Sequence, residues 1–244
     1  MSGGPGLAGQ IVVVIGGSSG IGFATARHAR AEGAEVIITA RDAVRLKRAG
    51  EEIGARSTSA FDATDVDRLE AFFDELPVPI DHLMLTGRSP YYARLAEMDF
   101  DDARRDVEAH LWLVLRVARL AAERVRAGGT LLFMGGTGGR RPAVGDSVIG
   151  TLTAALPALA RNLALELAPV RVNLIAAGFV DTPVSAAVLG DRLERRCDHL
   201  RVKLPIGRVV GDADVAALAV HLMTNTAVTG ATFDIDGGQQ LVEA

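Results

Sequence analysis

The sequence predicts an α/β fold of the doubly wound kind: a parallel sheet between helices in three α/β/α layers, as a single domain over residues 1–244. Three observations predict it. Short apolar, often β-branched runs recur along the chain and alternate with stretches of helical periodicity. The first run, Ile11–Ile15, leads into a glycine turn that opens a helix, the local plan of a dinucleotide-binding βαβ unit. The 244 residues, 49% hydrophobic and 23% charged, suit one large core, and no linker, repeat or low-complexity segment divides them.

The turn Gly16-Gly17-Ser18-Ser19-Gly20-Ile21-Gly22 organises the rest. A helix beginning there, expected over 23–32, leaves backbone N–H groups unpaired, and its dipole favours an anion. Glycines let the main chain approach a pyrophosphate closely, and Ser18 and Ser19 add hydroxyl donors. The spacing, Gly-x-x-x-Gly-Ile-Gly, resembles that of the short-chain dehydrogenase/reductase family. The family's threonine before the first glycine is Ile15 here. The resemblance covers roughly residues 9 to 240. It implies a Rossmann-type NAD(P)-binding domain, with Gly16, Ser18, Ser19, Gly20 and Ile21 on the dinucleotide.

The bulk numbers narrow the function. A net charge of −4 argues against nucleic acid as a partner. One cysteine, Cys197, cannot form an internal disulfide, which fits a reducing cytoplasm. No metal site is expected. No long apolar run is free of charge or proline, so no membrane span is expected. Residues 1–8 are expected as a loose start.

The second strand, Val36–Ala40, ends at Ala40-Arg41. NAD-dependent relatives of this plan often place an acid there to hold the ribose hydroxyls. An arginine instead can pair with a 2′-phosphate, or can simply cap a surface loop. The position favours NADP(H) over NAD(H). A helix follows over 42–53 with Asp42 as its cap, then a strand near 56–61. Asp62-Ala63-Thr64-Asp65 resembles the family's loop beside the adenine. By that resemblance Asp62 accepts from the adenine amino group with Ala63 alongside, and Asp65 caps a helix over 66–76.

A fourth strand, 81–87, ends in Gly87, which permits close approach of a cofactor; the family's asparagines are gone. Tyr91 and Tyr92 follow, expected as aromatic packing under a loop near the pocket mouth. Residues 99–126 read as one or two helices with an apolar face including Val107, Leu111, Val114, Leu115 and Ala118. The resemblance places the family's relay asparagine at His110. A histidine there can titrate near neutral pH, or be a packed, hydrogen-bonded residue.

The fifth strand, Thr130–Met134, runs into Gly135-Gly136-Thr137-Gly138-Gly139-Arg140-Arg141, read either as a flexible turn or as an anion nest. The resemblance puts the family's catalytic serine at Gly136, its tyrosine at Ile149 and its lysine at Thr153, the last two on a helix over 146–168 that contains Pro157. One point needs no alignment. The lysines are Lys47 and Lys203 and the tyrosines Tyr91 and Tyr92, so no Tyr-x-x-x-Lys exists in the chain. General acid catalysis is worth roughly 10²–10⁴-fold, so its loss matters.

After a strand over 171–175, Ala177-Gly178-Phe179-Val180-Asp181-Thr182-Pro183 resembles the family's loop on the nicotinamide carboxamide, with Gly178, Val180 and Thr182 matched. Residues 184–204 would form a lid over an unknown small molecule. A helix over 212–223 and a strand over 231–235 close the domain. The apolar 152–167 helix suggests a homodimer or homotetramer. The expected activity is an NADP(H)-dependent oxidoreductase with a non-standard or impaired proton relay. Its substrate would be a carbonyl, an alcohol or an activated double bond, and His110 is a candidate acid. The alternative is a catalytically inactive nucleotide-binding or scaffold subunit.

Overall fold

The computed structural model describes residues 6–242. The apolar runs form strands: β1 (Ile11–Ile15), β2 (Glu35–Ala40), β3 (Ser57–Ala60), β4 (Ile80–Leu85), β5 (Val125–Gly136), β6 (Arg171–Ala177), β7 (Val180–Asp181), β8 (Val210–Gly211) and β9 (Thr232–Ile235). Seven make one sheet in the order β3-β2-β1-β4-β5-β6-β9 with every neighbour parallel; β7 and β8 pair separately. A parallel sheet is covered on both faces, which is why Val12, Val13 and Val14 are all fully buried and the strand reads as unbroken hydrophobe.

Helices α1 (Gly20–Ala31), α2 (Ala43–Ile53) and α9 (Asp212–Thr224) bury Ala26, Leu46 and Val215 against one face. Helices α3 (Val66–Asp74), α5 (Leu113–Ala121) and α6 (Ser147–Glu166) bury Phe73, Val117 and Leu156 against the other. Between them in the chain lie α4 (Phe100–Val107) and, after β7, α7 (Pro183–Leu189) and α8 (Leu193–Lys203). By length and composition α6 is apolar enough to cross a membrane, but Leu156, Ala160 and Leu163 lie against the sheet. The expected caps are in place: Asp42 accepts from Arg45 N at 3.0 Å and Asp65 from Arg68 N at 3.2 Å. Strand order reverses between β1 and β4, which opens a crevice at the carboxyl ends of those strands.

Several expectations are corrected. Residues 1–5 of the expected loose start lie outside the described residues, but Leu7 is fully buried and its N–H donates to Glu32 O at 3.0 Å. The first helix begins at Gly20 rather than residue 23, because the glycine turn itself supplies its first turn. The 99–126 segment is helical only to Ala121, and residues Glu108–Trp112 form a π-helical turn between α4 and α5. Arg126 belongs to β5. The glycine segment after β5 is neither nest nor loose turn. It forms a 3₁₀ turn, Gly138–Arg140, whose arginines hold the C-terminal segment: Arg140 pairs with Asp234, and Arg141 donates to the carbonyls of Gln239 and Val242. Of the two tyrosines only Tyr91 is held under its loop, its hydroxyl accepting from Asp99 N at 2.8 Å; Tyr92 is half exposed.

Two buried polar groups secure the opposite edge of the sheet. Arg171 donates to the carbonyls of Gly128, Leu222, Met223, Asn225 and Val228, and to Thr130 Oγ1, with no carboxylate in contact among the described residues. It thereby caps the last carbonyls of α9. His82, 1% exposed, shares a 2.7 Å hydrogen bond between Nε2 and Gln10 Oε1. Burial, with some help from Arg171 and Arg126 and against Asp81, lowers its pKa from 6.5 to about 4. Between those values the unfolded chain binds a proton that the folded chain does not. Stability from His82 is therefore full above pH 6.5 and falls as the pH drops towards 4, by about 3 kcal/mol in all. Urea unfolding of wild type and His82→Gln between pH 7.5 and 4 should show this component in the wild type and not in the variant. Parallel pH curves would refute it.

Candidate functional site

The crevice is a cleft of about 1450 Å³ along the carboxyl edge of the sheet. Every candidate cofactor and relay position lines it: Gly16, Ser18, Ser19, Gly20 and Ile21 at one end, Arg41, Asp62, Ala63 and Gly87 along it, and His110, Gly136, Ile149, Thr153, Gly178, Val180 and Thr182 at the other.

The glycine turn is held from two sides. Gly16 N and Gly17 N both donate to Thr39 O at 2.9 Å. The Thr86 hydroxyl lies 3.0 Å from Ile15 O and 3.2 Å from Gly16 O. The hydroxyl that Ile15 cannot offer thus arrives from β4's end, a contact the sequence reading missed. A Cβ at Gly22 would stand 2.2 Å from Gly16 O, and one at Gly16 2.1 Å from Thr86 Oγ1, so the turn closes only with glycine at these positions. Ser19 precedes α1 in extended conformation and its side chain makes no capping bond. The first N–H groups of α1 and the Ser19 hydroxyl are therefore left for an anionic ligand. The chain fits a pyrophosphate here.

Further along, Asp62 accepts from Thr64 N at 3.0 Å and Thr64 Oγ1 at 2.8 Å through one oxygen. Partial burial works against its charge, but those bonds and the nearby Arg41 and Arg88 hold its carboxyl below the ordinary range. Arg41 is exposed and makes no ion pair among the described residues. The adjacent acid, Asp42, is occupied: it caps α2 and pairs with Arg45. Arg88, on the loop after β4, also lines the cleft and escaped the sequence reading for want of a local pattern.

At the other end, His110 sits in the π-helical turn and faces Gly87, where a Cβ would lie 3.4 Å from its Nε2. Its Nδ1 lies 3.1 Å from Asp106 Oδ1 and 3.0 Å from Asp106 O; its Nε2 lies 3.2 Å from Arg88 O. Both nitrogens thus face acceptors, and the doubly protonated ring satisfies both. Burial opposes the charge, yet the Asp106 carboxylate and the carbonyls outweigh it and raise the pKa above the ordinary histidine value. Asp106, almost fully buried, also accepts from Tyr91 N at 3.2 Å, and its second oxygen has no partner among the described residues. The Asp106–His110 spacing of four was the available signal for this pair.

Gly136 ends β5, and a Cβ there would lie 3.3 Å from Thr153 Cγ2. Ile149 and Thr153 stand one turn apart on α6. The Thr153 hydroxyl is turned back on its own helix, 2.9 Å from Ile149 O and 3.1 Å from Gly150 O. Val180 is buried in the β7–β8 pair, and Thr182 caps α7, with Ser185 N donating to its hydroxyl at 3.2 Å. Residues 184–204 fold as α7, a 3₁₀ turn and α8, with Cys197 buried beneath.

Comparison with known proteins agrees with this architecture. The family profile described as enoyl-(acyl carrier protein) reductase matches residues 15–240. The short-chain dehydrogenase/reductase ATR9 of Stachybotrys chlorohalonatus is 29% identical over 252 residues, 96% of this chain and 98% of that protein. The solved MalC reductase/Diels-Alderase of Malbranchea aurantiaca superposes with a TM-score of 0.88 at 27% identity, covering 97% of this chain and 98% of its own. A small-chain dehydrogenase in complex with NADPH superposes with a TM-score of 0.83 at 25% identity, covering 96% and 99%.

Proposed function

The chain belongs to the short-chain dehydrogenase/reductase family of oxidoreductases, and on that premise we propose that it takes NADP(H) in preference to NAD(H) and reduces a small molecule with a proton relay that is not the family's usual one. The observation that carries the cofactor reading is the surroundings of Arg41. It faces the cleft with no ion pair among the described residues, Arg88 adds a second cation, and of the two nearby carboxylates Asp42 is tied to Arg45 and Asp62 to Thr64. A 2′-phosphate would find a bidentate cation there, and a bare ribose would find no free acid at the end of β2 to hold its hydroxyls. The N-terminus of α1 with Ser18 and Ser19 would take the pyrophosphate, and Val180 with Gly178 and Thr182 the carboxamide end. Bound there, the dinucleotide supplies the reducing equivalent.

The relay reading rests on the other end of the cleft. Ile149 carries no exchangeable proton, Gly136 no side chain, and the Thr153 hydroxyl serves its helix. His110 is the remaining candidate acid, and in this arrangement its Nε2 proton is directed at Arg88 O rather than into the cleft. The exposed Phe100, Trp112 and Leu165 support assembly as a homodimer or homotetramer.

Calorimetric titration of nucleotide-free protein tests the reading. NADPH should bind at least about tenfold more tightly than NADH, and Arg41→Ala should remove most of that difference while leaving NADH unchanged. Equal affinities would refute the preference. Nucleotide binding without turnover over a broad panel would identify a non-catalytic subunit instead.

A further inference from the structure

Asp146 breaks a local rule. It stands immediately before α6, where an aspartate ordinarily accepts a hydrogen bond from the first turn of the helix, yet its side chain makes no such bond. Only its main chain is used, the carbonyl accepting from Gly150 N at 2.7 Å and the N–H donating to Ala143 O at 3.2 Å. Its carboxylate forms no hydrogen bond or ion pair among the described residues and lines the cleft instead. Two glycines border the position: a Cβ at Gly150 would lie 3.6 Å from Asp146 Cβ. A Cβ at Gly138 would lie 4.0 Å from Asp146 Oδ2 and 3.8 Å from Thr153 Oγ1, so the carboxylate and Thr153 flank the same small patch beside the end of β5. Partial burial pushes the Asp146 carboxyl up, as expected of a charge without a compensating partner. An unpaired, partly desolvated carboxylate gains most from a cation brought into the same space.

The phenol near that carboxylate, Tyr92, also lines the cleft, and burial with the charges of Asp146 and Asp106 raises its pKa and makes it a weaker acid. A ketone reduced at this end of the cleft would have to draw a proton onto its alkoxide. An iminium carbon has no such need. We propose that the substrate is a cationic C=N electrophile, an iminium or protonated imine, whose charge is held by Asp146. The proposal rests on the NADP(H)-dependent reductase reading above. The step balances without an acid. The iminium carbon gains a C–H bond with both electrons from the dihydronicotinamide, the C=N π pair becomes the nitrogen lone pair, and the positive charge passes from substrate to oxidised nicotinamide. The product is a neutral amine.

The test begins with binding. Protein saturated with NADPH is titrated with N,N-dimethyl-tetrahydroisoquinolinium, a cation that cannot be reduced, and with its neutral isostere in which a quaternary carbon replaces the nitrogen. The cation should bind at least about tenfold more tightly than the isostere, and Asp146→Asn should remove that advantage without altering NADPH affinity. The wild-type comparison stands even if the variant folds poorly. In turnover, N-methyl-dihydroisoquinolinium should be reduced by NADPH and tetralone should not. Equal affinity for cation and isostere, no binding of the cation, or an unchanged advantage in Asp146→Asn would overturn the inference while NADPH binding stands. Failure to bind NADPH would overturn the reductase reading, and this inference with it.

Discussion

Replacing Arg171 with methionine should cost about 4 kcal/mol of stability, among the largest effects of any single substitution in this chain. Methionine keeps the apolar stem, so the loss isolates the guanidinium. That group is 6% exposed and serves five carbonyls and one hydroxyl. Once it is gone, the carbonyls of Leu222 and Met223 at the end of α9 are buried without a donor, while that of Val228 in the turn before β9 keeps Asn173 Nδ2 at 3.0 Å. Each unsatisfied acceptor costs about 1–3 kcal/mol, discounted because water will reach some of them. At roughly 2–4 °C per kcal/mol for a domain of this length, Tm should fall by about 10 °C. Arg171→Lys should recover only part, since three donors on one nitrogen cannot span acceptors laid out for a planar fork. NADPH affinity should not move, because Arg171 begins β6 and the cleft lies at the other end of the strands. Denaturant unfolding of the three proteins checks this. A loss under 1 kcal/mol would mean that the carbonyls find water at no cost.

Arg171 also shows where the sequence stops being legible. The parallel sheet was readable because each strand is a short, unbroken apolar run, and that follows from burial on both faces. Asp42 and Asp65 were readable as caps because capping acts across three residues. The glycine turn was readable from its spacing. The contacts that hold the site together join distant parts of the chain. Thr86 reaches Gly16 across 70 residues, and Arg141 reaches Gln239 across 98. Neither leaves a local pattern. The π-helical turn at Glu108–Trp112 was hidden for another reason: one extra residue in a helix hardly disturbs a periodicity of 3.6, yet it sets the face on which His110 emerges. Asp146 was expected only as the first residue of a helix, and the structure shows its carboxylate left over.

On the proposed reading of the relay, installing the family's pattern should raise ketone reduction. The triple substitution Gly136→Ser, Ile149→Tyr, Thr153→Lys is expected to raise NADPH-dependent reduction of neutral ketones by roughly 10²–10⁴-fold over the wild type, the range a positioned general acid supplies. The geometry suits it. Ile149 and Thr153 are four apart on α6, so their side chains share the face that lines the cleft. A side chain at 136 would meet Thr153 Cγ2 at 3.3 Å, and replacing Thr153 removes that branch. Nothing else depends on the Thr153 hydroxyl, which bonds only to its own helix. The lysine ammonium would favour the ionised phenol and bring its pKa toward working pH. The control carries Ile149→Phe with the other two changes, so that ring and packing are kept and only the hydroxyl is absent. A gain in the tyrosine version alone, with a new ionisation in its pH profile, shows that the cleft still presents a carbonyl at the reacting position. Equal rates in the two versions would show that it does not. Reduction of the iminium probe should separate the two chemistries: it needs no proton and should gain nothing from the phenol. A new ammonium on the same face as Asp146 should weaken binding of the cation, so the change that raises ketone reduction should diminish reduction of the iminium.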